Sequence, residues 1–377
     1  MGFSTIFIIP LRIIKYFLLF PITHPLLFLT HLLINFVIAT YIYIKMKPFY
    51  DPLKSEIHNK YPEFKRFDKV SFLRLFIGLS FLVWPRALLM VISMTIMAVV
   101  VNFGKDILDP KHKKIKDFVY QKGSRVVLFA LGCIIPKEIR NEKKTEEVIK
   151  KYLGPDYQIS YIKKYSCVVS NHVSWVESFY YNYRFAIGYI GKKSASKVPG
   201  ISQIGKYNQT IYCDRTDPND RQKTAEKIAE RQKGILNGTI LTQLAIYPEG
   251  TQSNGTHLIK FKRGAFMTLL PIKPMVELID HTDECILACG IVPMHFHMIY
   301  TCCFLWHYDT FLELPTIEPT DYMYENYKSF GKEKWQIYME VTKRIMSEAS
   351  GLEISEGSFD EKLNYISAIV GKKVKNT

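Results

Sequence analysis

The chain reads as an α/β protein preceded by membrane helices, and three observations predict this. From about Ser124 onward, short apolar runs alternate with longer polar stretches of helical character, which is the pattern of α/β architecture. Upstream, the apolar residues are concentrated in two blocks, Phe3 to Ile44 and Ser71 to Phe103. The length of 377 residues with 48% hydrophobic content supports one large domain or two smaller ones and excludes a disordered or fibrous chain.

In chain order, the first block is interrupted by Pro10, Arg12, Lys15 and the Pro21 to Pro25 stretch, and it continues well past the point where a cleaved signal would end. Its later part, Pro25 to Ile44, is 20 residues without a formal charge, about the ~20 needed to cross the hydrocarbon core. Residues 1–48 are therefore expected to be N-terminal membrane segment(s), and 49–70 a basic cytosolic connector. The second block, 71–103, exceeds one span, while its halves on either side of Trp84-Pro85-Arg86 fall near or below one. That shape predicts a re-entrant hairpin, with a single kinked span as the alternative. Lys60, Lys65, Arg66 and Lys69 precede it and Lys105, Lys111, Lys113, Lys114 and Lys116 follow it, which puts both flanks in the cytosol.

Residues 104–350 are expected to form the folded domain and 351–377 a C-terminal tail. Strands are predicted at Ser166 to Ser170, Ile187 to Ile190, Thr210 to Cys213, Leu241 to Tyr247, Met275 to Ile279 and Ile286 to Val292. The clearest helix starts at Asp217-Pro218, an acidic cap followed by proline at the first helical position. Another covers about Lys332 to Ser347.

Composition narrows the function. Fifty Lys plus Arg against 35 Asp plus Glu leave a net charge of +15, which calls for an acidic partner. The basic residues are dispersed and no aromatic-basic RNA-binding motif occurs, so nucleic acid is not expected. Seven cysteines, an odd number, read as reduced thiols. Cys302-Cys303 with His295 and His297 nearby lack CxxC or HExxH spacing, so no metal is expected and core packing explains them better. A calcium loop of DxDxDG type is absent from the sequence.

Four segments carry chemistry. NHVSWVE (Asn171 to Glu177) follows the β-branched run CVVS, so a strand delivers His172 into a turn. Neutral imidazole suits removal of a hydroxyl proton near neutral pH, and a carboxylate such as Glu177 can orient the ring and stabilise the imidazolium. Five residues in one helix would point the two side chains apart, so His172 should precede a helix carrying Glu177. In IYPEGTQSNGT (Ile246 to Thr256) a strand ends in a turn where Gly250 permits close backbone approach to an anion; taken alone, those residues favour an ordinary strand-to-loop turn. In NQTIYCDRTDPNDR a strand end presents Arg215 near a helix N-terminus, a place for phosphate recognition or for a local ion pair with Asp214, Asp217 or Asp220. In FKRGAFMTLLPIKPMV, Lys260, Lys262 and Arg263 precede a short helix and form a basic face.

Together and in this order, NHVSWVE, the strand ending in DR, YPEGT and FKRGAF with PIKPMV resemble the four motif blocks of the glycerolipid acyltransferase family. CDRTDPNDRQKT, FKRGAF and FLELPTIEPT are similar to the lysophosphatidylcholine acyltransferase branch, over roughly residues 120–350. The resemblance implies an α/β domain with a mixed sheet flanked by helices. It also implies transfer of a fatty acyl group from acyl-CoA, the co-substrate, to a lysophospholipid at a membrane, with no permanently bound cofactor. Lysophosphatidic acid and glycerol 3-phosphate remain open as acceptors, as does a catalytically silent lipid-binding member of the fold. Placement in the endoplasmic reticulum membrane with the domain facing the cytosol follows the same resemblance. Carried over by motif, His172 would be the base and Glu177 its orienter. Asn171, Ser174, Arg215, Glu249, Gly250, Thr251, Lys262 and Arg263 would form the substrate site, with backbone N–H groups near Gly250 offered to the oxyanion. The chain departs from the family pattern twice: Glu177 stands where Asp is usual, and Gln209 where glycine heads the second block.

Overall fold

Helix α1 (Pro25–Met46) forms from the first apolar block, with Pro25 in its first turn, where a missing N–H breaks no helical bond. It belongs to a computed structural model that describes residues 19, 21–50, 55–103, 109–134, 136–214, 217–280 and 286–371. The start of the expected membrane segment, residues 1–18, lies outside them.

The second apolar block is one helical run and not a hairpin. α2 (Phe72–Gly78), a π turn (Leu79–Val83) and α3 (Trp84–Val101) follow one another without a break. Pro85 lacks the N–H that would bond one turn back, and the wider π turn just before it accommodates that loss, so the chain stays helical. The re-entrant hairpin expected over 71–103 is thereby corrected. Among the described residues, Pro25–Tyr50 and Phe72–Val101 are long and apolar enough to cross a membrane.

The Phe72–Val101 run has two sides. Leu75, Leu79, Val83, Met97 and Val101 are buried against the rest of the protein, while Leu73, Ile77, Phe81, Leu88 and Val99 are exposed. An apolar face of that length needs a bilayer or another apolar cover. The charges in this run turn inward: Arg86 donates to the carbonyls of Cys302 at 3.0 Å and Leu305 at 2.8 Å, and the Arg74 guanidinium lies 4.9 Å over the Phe304 ring. Cys303 packs on bare Gly78, where an added Cβ would come within 2.3 Å of the cysteine Cβ. Helix α4 (Pro110–Ala130) lies along α3, and the Ser93 hydroxyl donates to the Gly123 carbonyl at 2.9 Å.

The domain continues as β1 (Lys137–Ile139), α5 (Glu142–Leu153), β2 (Val168–Ser170), α6 (Glu177–Phe185), β3 (Ile190–Lys192), α7 (Ile201–Tyr207), β4 (Ile211–Cys213) and α8 (Pro218–Asn237). Then come β5 (Ala245–Ile246), β6 (His257–Leu258), β7 (Lys273–Leu278), α9 (Met294–Thr301), β8 (Thr310–Glu313), α10 (Lys334–Ser350), β9 (Glu353–Ile354) and α11 (Phe359–Val370). The main sheet is five-stranded, in the order β1-β8-β7-β2-β5. Its neighbours are parallel except β7 and β8, which makes the sheet mixed. β3 pairs with β4, and β6 with β9, both in parallel.

Period-two alternation splits the sheet between two cores. Val168, Met275 and Phe311 enter the core shared with α1 to α4, whereas their neighbours Val169, Val276 and Leu312 enter the core under α5, α8 and α10. The α8 helix starts as its sequence predicts: the Asp217 carboxylate accepts the Asn219 N–H at 2.9 Å, and Pro218 follows.

Two further sequence expectations are corrected. Ile286 to Val292 is not a strand; Gly290 adopts φ +57°, and the carbonyls of Ala288 and Cys289 accept from buried Arg66, which is paired with Asp68. Within the 49–70 connector, Asn254 Nδ2 donates to the carbonyls of Pro62 and Lys65 at 2.7 and 2.9 Å and ties it to the domain. The stretch 351–377 is not a tail as far as Gly371, since β9 and α11 fold back and bury Tyr365 and Ile369 with Phe64 and Ile259.

Candidate functional site

β2 and β5 are parallel neighbours, so both end at the same edge of the sheet, the edge where open α/β sheets place ligands. Asn171 and His172 follow β2 directly, and Tyr247, Pro248 and Glu249 follow β5. The turn after β2 ends where Glu177 opens α6. That turn brings the two side chains together: His172 Nδ1 meets Glu177 Oε1. The other carboxylate oxygen of Glu177 accepts the backbone N–H groups of Val173 and Ser174 at 3.1 and 3.2 Å. Glu177 is fully buried, while the His172 side chain stays 21% exposed, so the imidazole forms the accessible end of the pair.

The turn after β5 holds His172 from the other side. Glu249 accepts the His172 N–H at 2.7 Å with one oxygen and the Ile259 N–H at 3.0 Å with the other. The Tyr247 ring stacks on the imidazole with centroids 4.4 Å apart and planes 14° apart, and Tyr189 stacks on Tyr247 in turn. The Ser253 N–H donates to the His172 carbonyl at 2.9 Å. Ring and backbone of the histidine are thus both fixed.

Asn171 is fully buried and its amide makes two hydrogen bonds with the Glu277 backbone. The Ser174 hydroxyl, also buried, accepts the Val176 N–H at 3.1 Å. Gly250 adopts φ +66°, a conformation that favours glycine. A Cβ there would come within 2.6 Å of Lys262 Nζ, so the ammonium lies close over the glycine backbone. The Gly250 N–H donates to the Tyr247 carbonyl at 3.1 Å, which uses within the turn a donor that the sequence reading offered to the oxyanion. Thr251 is buried beside it, and Lys262 and Arg263 are exposed. Arg215 lies outside the described residues.

Burial pushes both site carboxyls upward. Glu177 rises to about 8, against the pull of hydrogen bonds from Glu277, Val173 and Ser174. Glu249 also rises to about 8 through burial, opposed by the N–H groups of His172 and Ile259. Sequence reasoning missed Tyr247 and Glu277. An acid inside the apolar run PMVEL was the available signal for the second. Gln209 adopts φ +56°, and its side chain accepts from Arg231, which gives a physical reason why glycine suits that position.

The family model described as Acyltransferase matches residues 140–295. A lysophosphatidylcholine acyltransferase of Drosophila melanogaster is 36% identical over 109 residues, 29% of this chain and 20% of that one. A lysophospholipid acyltransferase of Arabidopsis thaliana is 23% identical over 205 residues, 54% of this chain and 49% of that one. The solved 1-acyl-sn-glycerophosphate acyltransferase of Thermotoga maritima is 15% identical with a TM-score of 0.40, covering 72% of this chain and 98% of that one. The chain spans from a fifth to about half the length of these two curated relatives.

Proposed function

The chain belongs to the glycerolipid acyltransferase family, and on that premise we propose that it moves a fatty acyl group from acyl-CoA to the free hydroxyl of a lysophospholipid. The observation that carries this reading is the exposed imidazole of His172 backed by buried Glu177. Nδ1 is engaged by Glu177, so Nε2 takes the acceptor's hydroxyl proton. The hydroxyl oxygen attacks the thioester carbonyl carbon, the Glu177 carboxylate stabilises the imidazolium, and the tetrahedral intermediate collapses with cleavage of the C–S bond. The imidazolium then returns its proton to the CoA sulfur. Phospholipid and free CoA leave.

The remaining residues divide by what they touch. Arg215, Gly250, Thr251, Lys262 and Arg263 are assigned to the phosphates of the two substrates, where cations and close backbone approach serve best. Asn171, Ser174 and Glu249 are assigned to positioning, because each is buried and bonded to backbone. The acceptor is read as lysophosphatidylcholine or a similar lysophospholipid. The enzyme is assigned to the endoplasmic reticulum membrane, with its domain on the cytosolic side, where water-soluble acyl-CoA meets a bilayer-resident acceptor.

The direct test offers mixed lysophospholipids and mixed acyl-CoAs to the purified protein and follows thiol release together with the lipid product. Stoichiometric CoA and phospholipid are expected. Lysophospholipid binding without turnover would favour the silent lipid-binding member of the fold. Orientation is read from Asn237, the exposed sequon at the end of α8; glycan there would put the domain in the lumen. Asn208 and Asn254 are buried, and their lack of glycan is uninformative.

A further inference from the structure

Behind the His172–Glu177 pair stands a second layer of carboxyls that the reaction above leaves unused. Glu277, on β7, is fully buried, and Asp309, just before β8, is 2% exposed. Among the described residues, no N–H and no alcohol or phenol hydroxyl donates to a carboxyl oxygen of either residue. What each faces is another acid: Glu277 lies within hydrogen-bonding reach of Glu177 on one side and of Asp309 on the other. The sheet imposes this proximity. Glu277 pairs with Phe311 across β7 and β8, so Asp309, two residues upstream of Phe311, is its diagonal neighbour on the same face.

The placement is also rigid. Asn171, adjacent to the histidine, accepts the Glu277 N–H at 2.8 Å and donates to the Glu277 carbonyl at 2.9 Å. The groups facing Glu277 from the elements around it are Glu177 and Tyr181 of α6, Cys133 after α4, and Asp309. Two ionised carboxylates in dry contact are strongly disfavoured, so each contact requires a shared proton. Burial raises both Glu277 and Asp309 well above the ordinary carboxylate range, in keeping with that requirement.

We propose that Glu277 is a positioning residue of the acyl-transfer site: it stays protonated, donates its hydroxyl to Glu177 and so keeps Glu177 ionised toward His172, with Asp309 donating to Glu277 in turn. The assignment rests on the acyl-transfer reading, and it gives Asn171 a second purpose, since the residue beside the base also sets the register of the acid behind the orienter. Without that donor, the buried Glu177 carboxylate would take up a proton more readily and lose the charge that stabilises imidazolium.

The test compares Glu277→Leu with Glu277→Gln in the purified full chain. Leu removes the donor, so kcat/KM at neutral pH should fall at least roughly tenfold, and the acid limb of the pH–rate profile should move to higher pH. Gln supplies a neutral N–H donor and should restore most of the loss and return the limb toward its wild-type place. The infrared carbonyl band of protonated carboxyls, read on the folded protein without substrate, should weaken in Glu277→Gln and again in Asp309→Asn. An unmoved limb in the Leu variant, a Gln variant as impaired as Leu, or an unchanged band in Gln would overturn the proposal. Should Glu277→Leu fail to fold, the Gln profile and the infrared band decide. Should wild type transfer no acyl group, the acyl-transfer reading falls, and the infrared band still reports whether Glu277 holds a proton.

Discussion

The turns after β2 and β5 each end in a buried glutamate pushed up to about 8, and the two glutamates do different things with the same environment. Glu177 turns one oxygen to the His172 ring and the other to the N–H groups of its own turn. Glu249 gives both oxygens to backbone N–H groups, those of His172 and Ile259. Burial alone therefore does not distinguish the two; what each carboxylate holds does. One acid touches the ring itself, the other fixes the backbone on which that ring stands.

The largest break in this comparison should come at the ring. His172→Ala should lower kcat/KM by roughly a hundredfold or more, and Glu177→Gln, which keeps size but loses charge, should approach that loss. Thermal midpoints should change little in the first, because His172 is the accessible member of the pair. Wild-type turnover in both variants would remove the dyad from the mechanism.

Glu249→Gln should separate position from chemistry. The amide offers one acceptor oxygen to two N–H donors, so an unpaired donor should cost roughly 1–3 kcal/mol of stability. kcat should fall by about tenfold through misplacement of His172. Loss of activity with no change in thermal midpoint would give Glu249 a direct role in substrate binding.

pH provides the third comparison. If the working form carries ionised Glu177, activity should rise with pH through the region of about 8 to which burial lifts that group. Removing the Glu249 charge, one of the causes of the lift, should move the limb down. Stability should run the opposite way. Both carboxyls have folded values above their ordinary 4.5, so the stability they contribute in protonated form is lost as pH rises through the folded value. The thermal midpoint should be higher near about pH 6 than near about pH 9.

The smallest effect is expected away from both turns. Gln209→Gly relieves a non-glycine residue at φ +56° but removes one acceptor of Arg231, which keeps the carbonyls of Asn208 and Thr242. The two contributions oppose each other, and stability should shift by no more than about 1 kcal/mol in either direction. A large loss would show that the Arg231 contact, and not backbone strain, governs this position.

Local signals in the sequence determined the elements whose causes are local. Asp217-Pro218 starts α8 because a cap and a fixed proline φ act within one turn. The β-branched run before Asn171 delivers His172 for the same kind of reason, and the order of motif blocks pointed to the family. The sequence also marked two apolar blocks, since a bilayer's thickness sets their length. Only the tertiary structure decided that the second block is one helical run, because the loss at Pro85 is accommodated by a π turn that no composition reveals. It likewise turned Ile286 to Val292 from an expected strand into a buried loop held by Arg66, 222 residues away from Ala288. Glu277 shows the limit most plainly. An acid in an apolar strand is visible in PMVEL, but its neighbours Glu177 and Asp309 come from a different helix and a different strand end, and only the packing of β7 against β8 and α6 puts three carboxyls in one row.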